Sequence, residues 1–139
     1  MSAFENAEKF FIACETAQGW AGCEQYVADN ATFNAQSEPL VDVGTVKEYC
    51  DWMAGFANVT TPGATYTLHT SSYDTESSTA VFFATYHGKH TGEGGPVPPT
   101  QKETNSHYVY ALTMDENDKV KKMVKIWNAP WAMRELGWS

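Results

Sequence analysis

Apolar side chains recur at helical spacing at the start of the chain. This periodicity predicts an amphipathic helix over residues 4–18. Its apolar positions are Phe4, Ala7, Phe10, Phe11, Cys14 and Ala17. Gly19 ends this helix, because glycine is a poor helix former. A second, shorter helix is predicted around Trp20, Cys23 and Tyr26.

A third helix follows a short extended piece at residues 31–34. Thr45 comes directly after Gly44 and has Glu48 three residues later, which is a capping box at a helix start. The apolar positions of this helix are Val46, Tyr49, Cys50, Met53 and Phe56. Pro62-Gly63 closes the segment.

The second half of the chain changes to β-branched and aromatic residues that alternate as strands do. Four strands are predicted, at residues 64–72, 79–91, 103–114 and 120–127. Polar connections favour hairpins between them, and a Gly/Pro-rich loop at residues 92–101 cannot continue either neighbouring strand. Helices followed by strands indicate an α+β fold, with the helices packed against one face of a curved sheet.

Composition narrows the functional classes. The 139 residues suit a single domain, residues 1–139, and are enough to bury a core. The net charge of −8 argues against nucleic-acid and anionic-membrane partners. We expect a cytoplasmic protein, because the sequence has neither a secretory signal nor a long apolar run. The three cysteines, Cys14, Cys23 and Cys50, are interpreted as small buried hydrophobes and not as a disulfide or metal site.

Several short motifs resemble the SnoaL-like polyketide cyclases, within the superfamily of nuclear transport factor two and ketosteroid isomerase. The resemblance spans nearly the whole chain. Its motifs are the segment 28–33, Gly44 before a helix, the Gly-x-His-x-Gly pattern at 88–92, Pro98-Pro99-Thr100, and the tail from Trp127-Asn128 to Glu135-Leu136-Gly137. The resemblance implies a cone-shaped α+β fold: three N-terminal helices on a curved, mostly antiparallel sheet of four to six strands, enclosing one pocket. It also implies a homodimer.

The catalytic positions of that superfamily mostly carry other residues here. The base of the isomerases corresponds to Asn34 or Ala35, and their oxyanion-donating tyrosine to Phe11. Their protonated aspartate falls near Tyr110, and the acid–base aspartate of the cyclases falls near Lys125. The resemblance therefore predicts the location of a site and not the family chemistry.

Lys125 is the strongest candidate catalytic residue. In a strand it shares one face with Met123 and Trp127, and a cation between two large apolar groups is costly unless something uses it. A neutral amine could act as base or imine-forming nucleophile, and a charged one could hold an enolate or carboxylate. The alternative is structural: the side chain reaches water at the rim or pairs with an acid.

Two further side chains are candidates for chemistry. Tyr110 shares a strand face with Tyr108, so its hydroxyl could donate to a developing oxyanion, and the alternative is a buried core tyrosine. His90 lies in the cyclase-like motif and is a candidate proton shuttle, or else a residue that ties the following loop by a hydrogen bond. No Cys/His spacing predicts a metal centre, and no cofactor is expected.

The rich aromatic content favours a cavity for a small apolar or aromatic carbonyl ligand. The predicted ligand-contacting residues are Trp52, Met123, Trp127, Tyr108, Asn34, Phe11 and Phe56. The first functional hypothesis is a cofactor-independent enzyme that performs a cyclisation, isomerisation or hydration by acid–base chemistry. The alternatives are a non-catalytic small-molecule binding protein of the same fold and a dimeric module whose cavity is a packing defect.

Overall fold

The computed structural model describes residues 2–139, which form four α-helices and one sheet. In chain order, the elements are α1 (Ala3–Glu15), α2 (Gly19–Cys23), β1 (Val27–Ala35), α3 (Val46–Gly55), β2 (Thr65–Asp74), β3 (Thr79–Lys89), β4 (Glu103–Met114), β5 (Val120–Trp127) and α4 (Ala129–Leu136). No helix within residues 2–139 is both long and apolar enough to cross a membrane.

The sheet contains five strands in the order β1-β5-β4-β3-β2. Strands β2 to β5 form the predicted antiparallel meander, and β4 and β5 have the bounds that the sequence predicts. The short extended piece is a full strand, β1, and it pairs in parallel with β5. The α+β fold class with a mostly antiparallel sheet is therefore confirmed.

Local sequence signals set the helix ends. The Thr45–Glu48 capping box is present at the start of α3, and an equivalent box that the sequence analysis did not identify joins Ser2 and Glu5 at α1. Helix α1 ends at Glu15 and not at residue 18, because Ala17 takes a left-handed backbone with φ of 61°.

Helix α4 was not predicted, although its signals are in the sequence. The Asn128 side chain accepts a hydrogen bond from the backbone N–H of Trp131 at 3.2 Å, and Pro130 lies in the first turn. Gly137 ends the helix in the left-handed conformation, with φ of 78°.

Helix α3 continues into one π-helical turn, Phe56–Thr60. The N–H of Thr61 donates to the carbonyl of Phe56 at 2.8 Å, and the Thr61 hydroxyl also bonds that carbonyl. The same hydroxyl lies 2.7 Å from the Tyr86 hydroxyl on β3, which anchors the turn to the sheet. Single π turns often occur at functional sites, and this one places the Phe56 ring against the inner face of the sheet.

Candidate active site

Lys125 points from β5 into the interior. Lys125 is only 6% exposed, and it pairs with Tyr110 of β4 in the sheet. Its Nζ donates a hydrogen bond to the Tyr49 hydroxyl of α3 at 2.9 Å. The lysine therefore does not reach water at the rim, which was one of the alternatives left open by the sequence.

Aromatic rings surround the Lys125 ammonium. Five ring centroids lie between 4.7 and 5.9 Å from Nζ, those of Trp127, Tyr49, Tyr108, Trp52 and Tyr110. The face of an aromatic ring is negative, so such a cage partly replaces the water that the cation loses. Burial nevertheless lowers the pKa of Lys125 to about 8, while the charges of Glu15 and Cys14 act in the opposite direction. At neutral pH the amine is still mostly protonated.

Glu15 faces the same space from the last position of α1. It is 6% exposed, and neither carboxylate oxygen has a hydrogen-bond partner. The hydroxyl of Tyr108 lies beside it and also lacks a partner with hydrogen-bond geometry. Burial raises the pKa of Glu15, and the nearby Lys125 cation opposes that rise. An unpaired buried carboxylate is costly, so this arrangement requires an explanation.

Glu15 was not among the site residues predicted from the sequence. A signal was available: the residue follows Phe11 by four positions and Cys14 by one, so an α-helix places it on the buried stripe. A polar residue near a helix end is usually solvated, and for that reason the pattern did not single it out.

Tyrosine hydroxyls connect the lysine to α1. The Tyr49 and Tyr110 oxygens lie 2.6 Å apart, and the Tyr110 oxygen lies 3.8 Å from Sγ of Cys14. Tyr110 thus sits behind Tyr49 and reaches the lysine through it. Tyr49, which the sequence analysis treated only as a helix core position, is the direct partner of Lys125.

Glu15, Tyr108 and Lys125 border one small cavity. About 10 Å³ is open to the centre of a water molecule, which is close to the space that one water needs. The other walls are Trp52, Met53, Phe56, Tyr86 and Trp127. The cavity can therefore hold one water or the oxygen end of a ligand between a carboxylate and an ammonium.

A larger cleft lies on the other side of the same rings. It has a volume of about 570 Å³, and it shares Trp52, Phe56 and Trp127 with the small cavity. Trp52 and Phe56 are stacked with centroids 5.2 Å apart, and Trp127 meets Trp52 edge to face at 6.1 Å. These three rings separate an outer cleft of the size of a small-molecule site from the polar cavity.

The Gly/Pro loop forms one wall of the outer cleft through residues 94–96. The N–H of Gly92 donates to the carbonyl of Thr60 at 3.1 Å, and a Cβ at Gly92 would overlap the Val59 carbonyl oxygen. Glycine is required there because the two backbones approach so closely. The loop is thereby fixed to the π turn that carries Phe56.

Of the predicted ligand contacts, Trp52, Phe56, Trp127 and Tyr108 line a cavity, whereas Phe11 and Met123 are buried in the core and line none of those described. The placement of Asn34 in a pocket was wrong. Asn34 pairs with Val124 and is exposed on the outer face, while its neighbours Phe33 and Ala35 point inward. The alternation of side chains along β1 is the physical reason.

His90 is fully buried, but it does not line the cavity that contains Lys125. Its Nδ1 accepts hydrogen bonds from the Trp138 indole N–H at 2.9 Å and from the Thr100 N–H at 3.3 Å. These contacts tie the loop 92–101 to the C-terminal segment. The geometry favours the loop-tying alternative over a proton shuttle.

Among residues 2–139, one group of side chains has the arrangement of metal ligands, the thiols of Cys14, Cys23 and Cys50. These belong to the helical layer and not to the cavity walls. The candidate active site itself consists of a carboxylate, an ammonium and tyrosine hydroxyls, which are the groups of acid–base chemistry.

No protein-family model and no curated protein matches the chain. Solved structures do match its fold. A protein from Jannaschia sp. CCS1 described as a SnoaL-like polyketide cyclase superposes with a TM-score of 0.79 at 15% identity, covering 99% of this chain and 92% of the other. IdmH from Streptomyces antibioticus, described as a polyketide cyclase, gives 0.77 at 13% identity over 99% of both chains.

The epoxide hydrolase/cyclase-like enzyme SalBIII, whose description concerns pyran ring formation in salinomycin, gives a TM-score of 0.66 at 11% identity, covering 93% of this chain and 92% of the other. At such identities the likeness establishes the fold and not the reaction. The chain has the cone fold of SnoaL-like polyketide cyclases and of ketosteroid isomerase-like proteins, as the sequence motifs predicted.

Proposed function

We propose that this protein is a cofactor-independent acid–base enzyme that acts on a small apolar or aromatic carbonyl compound, by cyclisation, isomerisation or hydration. One observation carries the proposal. The unpaired carboxylate of Glu15 and the caged ammonium of Lys125 face one cavity behind apolar rings. The descriptions of the structural neighbours as cyclases favour the same class of reaction.

In this proposal Glu15 is the general base. Its carboxylate takes a proton from the carbon beside the substrate carbonyl, and the C–H electron pair becomes the double bond of an enolate. The negative charge then rests on the carbonyl oxygen. In a cyclisation the enolate carbon attacks a second carbonyl of the same molecule, the C=O π pair moves onto its oxygen, and that alkoxide takes up the proton that Glu15 holds. In an isomerisation Glu15 returns the proton to another carbon.

Lys125 stabilises the enolate oxygen. An ammonium has three N–H donors, and one of them bonds Tyr49, so two remain for a ligand. The free hydroxyl of Tyr108 can donate to the same oxygen, because burial raises its pKa and keeps it protonated. Tyr110, the donor favoured by the sequence, acts here only through Tyr49.

The two cavities divide the substrate between them. The small cavity accommodates an oxygen atom, so the apolar body of the substrate would lie in the outer cleft against Trp52, Phe56 and Trp127. The rings must part to admit the carbonyl and then exclude water from it, which strengthens both electrostatic contacts. Glu15 also borders a surface pocket of about 330 Å³, through which its proton could exchange with solvent.

Hydrogen exchange tests the base without knowledge of the product. Aryl ketones and cyclic 1,3-diketones are incubated with the protein in D₂O, and loss of the α-hydrogen signal is followed by proton NMR. We expect exchange of at least one class, reduced about 100-fold or more in Glu15→Gln. Glu116→Gln, in an exposed turn, is the matched control and should retain the wild-type rate. Equal rates in wild type and Glu15→Gln would contradict the proposal.

A binding protein without chemistry is the second candidate, and the large apolar cleft outside the polar cavity favours it. Titration of the same carbonyl compounds against tryptophan fluorescence measures this binding. Tight binding without α-hydrogen exchange would support a carrier. Borohydride added to the same mixtures tests imine formation: an adduct mapped to Lys125 by mass spectrometry would make the lysine a nucleophile instead of a charge stabiliser.

A further inference from the structure

Three helices bring all three cysteines of the chain together. Cys14 lies near the end of α1, Cys23 ends α2 and Cys50 lies within α3. All three are buried free thiols, and their sulfur atoms lie within 4.8 Å of one another. Their spacing along the chain has no metal-binding pattern, so the sequence alone indicates separate buried hydrophobes.

The separation of the sulfurs suits one metal ion. Three thiolates at a metal–sulfur distance of about 2.3 Å form a triangle with sides of about 4 Å. The observed separations need to shorten by less than about 1 Å, which rotation of the short side chains can supply. Asp51 is the acidic neighbour of the group, but it is exposed and its Oδ1 accepts the backbone N–H of Trp20. The group thus provides three sulfurs and no ready fourth ligand.

A chain of hydroxyl groups leads from Lys125 to Cys14 and suits a charged acceptor at that sulfur. The Lys125 ammonium can only donate, so the Tyr49 oxygen accepts its proton and the Tyr49 hydroxyl can donate its own proton to Tyr110. Tyr110 can in turn donate its proton to Sγ of Cys14, 3.8 Å away. In that arrangement each hydroxyl donates toward the sulfur. A thiolate is a far better acceptor than a thiol, and a metal-bound sulfur keeps that character.

We propose that Cys14, Cys23 and Cys50 form a trigonal binding site for Cu(I), a soft cation that prefers sulfur ligands. Soft thiolate ligands select Cu(I) over harder ions, and a three-sulfur set without a fourth ligand disfavours the tetrahedral site that zinc prefers. Binding releases the thiol protons and cross-links α1, α2 and α3. Access requires local opening of α2, which is only five residues long.

The site is tested by anaerobic titration of the full chain with Cu(I) against a coloured Cu(I) chelator. We expect one Cu(I) per chain, and X-ray absorption should show three sulfur neighbours. Cys50→Ala and Cys23→Ala should each weaken binding by at least about 100-fold, since even the partners of metal ligands cost 10- to 100-fold when removed. Met53→Leu, which removes a buried sulfur from α3 and leaves all three cysteines in place, is the matched control and should bind as wild type.

A second measurement keeps the test decisive if an alanine variant does not fold. In the wild-type protein, one equivalent of Cu(I) should protect all three thiols from alkylation, and one equivalent of Zn²⁺ should protect them less. Failure of the protein to compete with the chelator, unchanged alkylation with Cu(I), or stronger protection by Zn²⁺ would each overturn the proposal.

Discussion

The two faces of the sheet differ in whether their polar side chains have hydrogen-bond partners. On the outer face, His107 bonds Thr85, which also bonds His69, and His87 lies between Thr67 and Asn105. On the inner face, one residue further along β4, the Tyr108 hydroxyl has no partner. Each of these outer-face side chains thus has a hydrogen-bond partner, whereas the buried Tyr108 hydroxyl and the Glu15 carboxylate, for which pairing matters most, have none.

This contrast supports the inner face as the location of the proposed chemistry. Paired histidines on an outer face stabilise the sheet and need no further explanation. The inner face buries Glu15, Tyr108 and Lys125 next to each other and leaves donors and an acceptor free at one cavity. Such an arrangement costs stability, and active sites are where proteins commonly bear that cost.

The largest expected effect concerns the cost of burying Lys125. The pKa of Lys125 in the folded protein is about 8, below the ordinary value of 10.5. Below pH 8 the lysine is therefore protonated in both the folded and the unfolded chain, and the folded state bears the full cost of burying its charge. We expect Lys125→Met to raise the free energy of unfolding by about 3 kcal/mol at pH 7. This figure comes from the lowering of the lysine pKa, because each pKa unit corresponds to about 1.4 kcal/mol. Urea denaturation measures this.

The pH dependence of the free energy of unfolding, compared between wild type and Lys125→Met, gives a sharper test. The wild-type protein should gain stability between pH 8 and 10.5, where only the unfolded chain keeps the lysine proton, so the advantage of Lys125→Met should vanish there. Lys121→Met, exposed on the same strand, is the control and should change stability by less than about 0.5 kcal/mol. A destabilised Lys125→Met protein at pH 7 would show that the aromatic cage compensates the charge.

The next effect is on rate. If Lys125 stabilises the enolate as an ammonium, α-hydrogen exchange should fall about tenfold per pH unit above pH 8, as the amine loses its proton. In Lys125→Arg the side chain stays charged at all these pH values. Exchange by this variant should be slower than in wild type, and its rate should not fall above pH 8. The same fall in Lys125→Arg would assign the titration to another group.

Prediction from the sequence succeeded where the relevant information is local. Alternation along β4 and β5 predicts which residues share a face, and the resemblance implied that the face of Tyr108 and Tyr110 is the inner one. Both side chains and Lys125 are buried there. The family-like motifs predicted the fold correctly, because they lie at its loops and strand ends.

What the sequence did not predict depends on distant pairings. Glu15 and Tyr49 meet Lys125 only because helices α1 and α3 cross the sheet at its inner face, and no spacing in the chain encodes that meeting. The parallel pairing of β1 with β5 is equally non-local, and it fixes the side on which Asn34 lies. A gapless comparison with a distant family cannot resolve a one-residue shift in such a strand.

A smaller effect concerns the homodimer, which stays a prediction. The outer face exposes Ile126 by 62% and Val81 by 36%, and a second copy could cover these apolar groups. We expect Ile126→Asp to raise the dimer dissociation constant about tenfold or more, because symmetry places the new charge on both copies. Analytical ultracentrifugation measures this. Ile12→Asp, at a 51% exposed position on α1, should leave the dimer intact.

The smallest expected effect concerns the outer face itself. His107→Gln removes an exposed ring and keeps a side chain that can bond Thr85, so we expect the free energy of unfolding to change by about 0.5 kcal/mol or less. The α-hydrogen exchange rate should stay at the wild-type value, because the side chain points away from Glu15 and Lys125. Urea denaturation and exchange on the same preparation check both expectations. A large loss of exchange at unchanged stability would mean that the outer face takes part in the chemistry, and the contrast between the two faces would then fail.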